Sequence, residues 1–163
     1  MAACTCGQVR LELAGPPILC GVCYCDDCQA AAGKLEADGA SGEFHDAWGG
    51  TPYVTVRDDR LVVAQGADRL TGVKLRDGAP TTRFIATCCN CPVYLKYRPG
   101  WWASVYRARL GPDAPPNEMR SQTRYARETD RLPHDVPAYR GIPLRLFARL
   151  LGARMAMWLR PGP

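Results

Sequence analysis

Nine cysteines, gathered into three short groups, constrain this 163-residue chain more than any other feature of its sequence. The groups are Cys4 with Cys6, then Cys20 with Cys23, Cys25 and Cys28, then Cys88, Cys89 and Cys91. An odd number leaves one thiol over in any fully paired disulfide scheme. Met1 to Cys6 shows no basic stretch followed by an apolar one, so no secretory signal is expected and the cytoplasm is the expected location. Reduced thiols at short spacings in that compartment point to metal. Both histidines, His45 and His134, lie outside every group, so sulfur has to supply the ligands.

Tetrahedral zinc takes four thiolates or imidazoles, and short spacings let one turn of backbone present two of them. Cys88 and Cys91 form such a pair with two residues between them, and Cys4 and Cys6 form a tighter one. Together they make a closed four-sulfur site that staples the N-terminal strand to a hairpin far along the chain. Cys23, Cys25 and Cys28 supply three thiolates from one loop. Three protein ligands leave a coordination position open, which distinguishes reactive from structural zinc. Spacing also allows Cys20 to fill that position and close the site. A redox pair is disfavoured, because no strand followed by a helix is expected around these thiols. Two zinc ions per chain are expected.

Composition is ordinary for a globular chain, 47 % hydrophobic and 23 % charged, which excludes a disordered one. No run of 18 apolar residues occurs, so no membrane span is expected. Alternating segments predict strands at residues 8–13, 53–57, 61–63, 73–75, 82–86 and 93–97, so the body reads as mainly β. Six prolines across residues 112–143 deny any long element there. After them a helix is predicted from Pro143 to about Arg160. Leu144, Phe147, Leu151, Met155 and Trp158 fall on one face of it, expected to cover the sheet. Two regions follow: a zinc-binding β domain over residues 1–110 and a Pro/Arg-rich extension over 111–163, packed on the same domain.

Charge is uneven. Residues 1–106 hold ten basic against eleven acidic residues, and residues 107–163 hold eleven arginines against five acids. Such a tail is most simply a solvated face, although a basic amphipathic helix can touch a membrane surface peripherally. No nucleic-acid partner is expected: acids interrupt the tail, and Trp101-Trp102 reads as packing rather than a stacking platform.

The run Cys4-Thr5-Cys6-Gly7-Gln8-Val9-Arg10, then Cys23-x-Cys25-x-x-Cys28, then Arg83-Phe84 ahead of Cys88-x-x-Cys91 resembles the glutathione-dependent formaldehyde-activating enzyme family, also called the centromere-protein-V-like group. The resemblance implies a small mainly-β zinc domain of the Mss4-like, or β-tent, kind. It implies a closed zinc on Cys4, Cys6, Cys88 and Cys91, and a reactive one on Cys23, Cys25 and Cys28. It further implies carbon–sulfur lyase chemistry on a small thiol adduct, with glutathione as the type of thiol. The sequence departs from the family in two places. Tyr24 stands where the family usually has histidine, and Cys91 is followed by Pro92 rather than glycine, with Cys89 added. Of the three thiols, Cys25 sits between the other two ligands and is the expected point of exchange with substrate. The competing reading is a non-catalytic scaffold with two inert zincs.

Overall fold

The computed structural model describes residues 1–159. Ten strands and two helices follow one another: β1 (Ala2–Ala3), β2 (Arg10–Leu13), β3 (Leu19–Cys23), α1 (Asp26–Ala37), β4 (Thr51–Arg57), β5 (Leu61–Gln65), β6 (Leu70–Val73), β7 (Thr81–Ala86), β8 (Cys91–Tyr97), β9 (Trp102–Tyr106), β10 (Met119–Ser121) and α2 (Leu144–Leu159). The architecture is mainly β with a C-terminal helix, as the alternating segments imply. A three-stranded sheet runs β1-β2-β5, and a seven-stranded sheet runs β10-β3-β4-β9-β8-β7-β6. Every pairing is antiparallel except β10 with β3.

Side chains alternate across a strand, and the β4–β9 register sets Val54 opposite Val105 and Val56 opposite Ala103. These four share one buried core with Val9 and Leu11 around the small sheet. The intervening residues Tyr53, Thr55, Ser104 and Tyr106 take the other face. There Tyr53 and Tyr106 pack with Cys28, Ala32 and Leu35 of α1. The large sheet is thus covered by the small sheet on one side and by α1 on the other.

Three elements depart from the sequence expectations. The thiols Cys23, Cys25 and Cys28 do not lie on one loop: β3 leads directly into α1, so a strand-then-helix setting does surround them. In α1, Cys28, Ala31, Ala32 and Leu35 are buried at the three- and four-residue steps of an amphipathic helix, and Asp26 and Asp27 occupy its first turn. Within the proline-rich stretch, Met119–Ser121 adds a parallel edge strand to β3. Gly21 permits this approach, since a Cβ there would lie 3.1 Å from the Met119 carbonyl oxygen.

Helix α2 forms, but its other face packs inward. Leu150 is buried and Leu146 is half-buried, whereas Leu144, Phe147, Leu151, Met155 and Trp158 are exposed. The helix is apolar on two faces, so periodicity alone could not choose between them. Trp101 Nε1 donates to the Leu150 carbonyl at 2.9 Å and holds that face against the sheet. Arg160 lies outside the described residues. No helix among the described residues is long and apolar enough to cross a membrane.

Candidate metal centres and the adjoining cavity

The turn between β1 and β2 presents Cys4 and Cys6, and the turn between β7 and β8 presents Cys88 and Cys89. Cys4 Sγ lies 3.6 Å from Cys6 Sγ and 3.8 Å from Cys88 Sγ. Cys6 and Cys88 are 3.4 Å apart, and Cys88 and Cys89 are 4.0 Å apart. Zn–S bonds of about 2.3 Å in a tetrahedron put sulfurs about 3.8 Å from one another, so this donor set fits a closed four-thiolate site. All four sulfurs lie within 4.8 Å of one another.

Sequence spacing pairs Cys88 with Cys91, yet the sulfur that joins Cys4, Cys6 and Cys88 in this structure belongs to Cys89. Cys91 opens β8 fully buried, and its Sγ accepts from Arg109 Nη1. Arg109 is itself buried and donates to the Glu43 carbonyl at 2.9 Å, so a guanidinium occupies the space in front of Cys91. Burial works against ionisation of Cys89, but hydrogen bonds from Thr5 and Cys6 overcome it and hold its thiol at about 6. Burial and hydrogen bonds with Cys6 and Cys4 push Cys88 up to about 12. Asn90 makes the turn with a left-handed backbone (φ 51°), and its Nδ2 donates to the Asp38 carbonyl at 2.8 Å.

The second group stands where β3 meets α1. Cys23 ends the strand, Cys25 is the helix N-cap, and Cys28 lies in the first turn, its N–H bonded to the Cys25 carbonyl at 3.0 Å. Their three sulfurs lie within 4.8 Å of one another, and no fourth cysteine, histidine or carboxylate joins them among the described residues. Hydrogen bonds from Cys25 and Cys28 hold the Cys23 thiol well below its ordinary range. The same contacts with Cys23 push Cys25 up to about 11 and Cys28 well above its usual value. Three sulfurs this close together are a donor set that fits a thiophilic cation.

Cys20 does not close this group. It precedes Cys23 by three residues on a strand, so the two side chains take opposite faces of the sheet. Cys20 is buried in the core between the sheets, where burial and the neighbouring Glu118 push its thiol up to about 11. Tyr24 also turns away from the thiols. Its hydroxyl donates to Asp46 Oδ2 at 2.7 Å, and its buried ring packs with Val22 and Leu132. Gly50 faces that ring so closely that any Cβ would collide with it.

Beside the three thiols lies a cavity of about 250 Å³ on the α1 side of the large sheet. Cys23, Cys25 and Cys28 line it, as do Leu146 and Leu150 of α2. Arg83, only 4 % exposed, and Asp27 are the two charged residues on its wall. Arg83 was legible as a motif residue, but α2 as the roof was not. Asp26 stays outside the cavity wall, its Oδ1 accepting from the Asp27 N–H at 3.0 Å.

Residues 1–125 match the family described as glutathione-dependent formaldehyde-activating enzyme. No curated protein matches the chain. Among solved structures, a protein from Rhodobacter sphaeroides is 21 % identical, with a TM-score of 0.48 over 70 % of this chain and 90 % of its own.

Proposed function

Because the chain belongs to the glutathione-dependent formaldehyde-activating enzyme family, we propose that it is a zinc protein acting on a small thiol adduct at Cys23, Cys25 and Cys28. The observation that carries this reading is the contrast between the two sulfur groups. One is a complete four-sulfur set, and the other is a three-sulfur set facing a cavity. On this reading Cys4, Cys6 and Cys88 hold the structural ion, with Cys89 in the place that spacing assigns to Cys91. Zinc bound by three thiolates would accept a further thiol and favour its thiolate form near neutral pH.

The chain's own residues would handle the rest. In the direction of addition, the substrate thiol gives up its proton and its sulfur forms a C–S bond to a carbonyl carbon. The C=O π electrons move to oxygen, and a proton returns to that oxygen, so RSH and R′CHO give RSCH(OH)R′. Lyase action is the reverse. Leu146 and Leu150 keep bulk water from the adduct, and the Arg83 guanidinium donates hydrogen bonds to an oxygen of it. Cys25, the N-cap thiol between the other two in sequence, would exchange with substrate sulfur. Nine unpaired thiols suit the reducing cytoplasm.

Cobalt substitution tests the proposal. Titration with glutathione, cysteine or another small thiol is expected to change the thiolate-to-cobalt bands of the three-cysteine site. If both sites are loaded and no thiol changes them, the protein is a zinc-stabilised scaffold.

A further inference from the structure

The cavity beside Cys23, Cys25 and Cys28 narrows the class of compound that reading allows. Its wall is mostly apolar, with Leu19, Leu95, Trp102 and Met119 from the sheet and Leu146 and Leu150 from α2. Among the described residues only Arg83 and Asp27 bring charge to it. Glutathione carries two carboxylates and an ammonium at neutral pH. A buried charge without a partner is unfavourable, and among the described residues this cavity has one cation to offer.

Arg83 bonds the Tyr106 hydroxyl but has no anionic partner among the described residues. Its Nη2 donates to the Asp27 carbonyl at 3.2 Å, its Nε has no hydrogen-bond partner, and no carboxylate lies within ion-pair distance among the described residues. Asp27 itself points to Arg76, at 3.5 Å. Because Arg83 bonds the backbone of α1 one residue before Cys28, an anion on it sits close to the three sulfurs. The apolar part of the cavity wall includes Leu146 and Leu150 of α2.

Resting on the thiol reading above, we infer that the site takes a compound with an apolar carbon chain and a single carboxylate, the carboxylate one or two carbons from sulfur. The 2-mercaptoalkanoates have that arrangement. Sulfur meets the thiol group of the protein, the carboxylate meets Arg83, and the chain lies against Leu146 and Leu150.

Calorimetry on the cobalt-loaded full chain tests this with 2-mercaptoacetate, 2-mercaptohexanoate, glutathione, and octanoate, which lacks a thiol. Affinity is expected to rise about fourfold per methylene from mercaptoacetate to mercaptohexanoate, as burial of alkyl groups dictates. Mercaptohexanoate should exceed glutathione, and replacing its carboxylate by an alcohol should cost about tenfold or more in affinity. Leu150→Trp, which takes up space in the cavity, is expected to cancel the chain-length gain, so that mercaptohexanoate binds no tighter than mercaptoacetate. The ligand series on the unaltered protein stands even if that variant fails to fold. Equal affinities along the series, or tighter binding of glutathione, would overturn the inference. Octanoate bound in a Leu150-dependent way with no cobalt response to any thiol would support the cavity's preference for apolar acids and overturn the thiol reading instead.

Discussion

Tyr24 stands between two thiols in sequence and belongs to neither in space. The strand alternation that points Cys23 toward the cavity sends Tyr24 to the opposite side, where Asp46 Oδ2 accepts its hydroxyl hydrogen bond. Tyr24→Phe leaves a carboxylate oxygen without its donor, so stability is expected to fall by about 1–3 kcal/mol in thermal or denaturant melts. Metal content should stay at that of the parent, since no sulfur moves. Cys89 and Cys91 invite a second comparison. If Cys89 completes the four-sulfur site, Cys89→Ser should remove about a quarter of the thiolate-to-cobalt intensity at that site, one sulfur in four. Cys91→Ser should leave the bands intact, because its sulfur faces Arg109. The opposite pattern would return the ligand to the position that spacing assigns. His45 is a third case: its Nδ1 lies 3.0 Å from the Asp46 carbonyl and its Nε2 2.5 Å from Glu36. Burial works against its protonation, but those two acceptors overcome it and raise its pKa. The resulting stability is present below the ordinary histidine range and is lost as pH rises through the raised value. Glu36 is about half exposed, so the effect is expected to be a few tenths of a kcal/mol. It should vanish in His45→Gln when the two proteins are compared between pH 6 and pH 8.

The two helices differ in how much of each is legible in the sequence. The stretch 26–37 carries cysteine, glycine and two aspartates, and the density of thiols draws attention to ligand spacing instead of periodicity. Its stripe of Cys28, Ala31, Ala32 and Leu35 was nonetheless there to be found. For α2 the period was plain and the inward face was not. Leu150 packs against the sheet and lines the cavity, while Leu151 stays more than half exposed. Leu150→Ala is therefore expected to destabilise by about 2–5 kcal/mol, the usual range for a buried leucine. Leu151→Ala should change melts by no more than about 0.5 kcal/mol. Equal effects would mean that α2 packs through the face that periodicity first suggests.

Across the whole molecule, the two sulfur groups hold different amounts of the fold together. The four-sulfur group joins the β1–β2 turn of the small sheet to the β7–β8 turn of the large one. The three-sulfur group spans six residues of one segment. Structural zinc contributes on the order of 10 kcal/mol to folding in small metal-dependent domains. Cys4→Ser is accordingly expected to abolish the cooperative melt, and Cys25→Ser to leave it near that of the parent. Equal damage would remove the distinction between a structural and a reactive site. The sequence by itself determined that thiols would gather in two places and that strands would dominate, because ligand number and the two-residue period of a strand are local properties. Which sulfur joins which group was decided by strand parity and by Arg109, a residue 18 positions beyond Cys91. The shape of the cavity depends on α2, which sets Leu146 and Leu150 on the same wall as Leu19 and Cys23, more than a hundred positions earlier. A helix with two apolar faces has no local rule for choosing one, so only the packed sheet could make that choice.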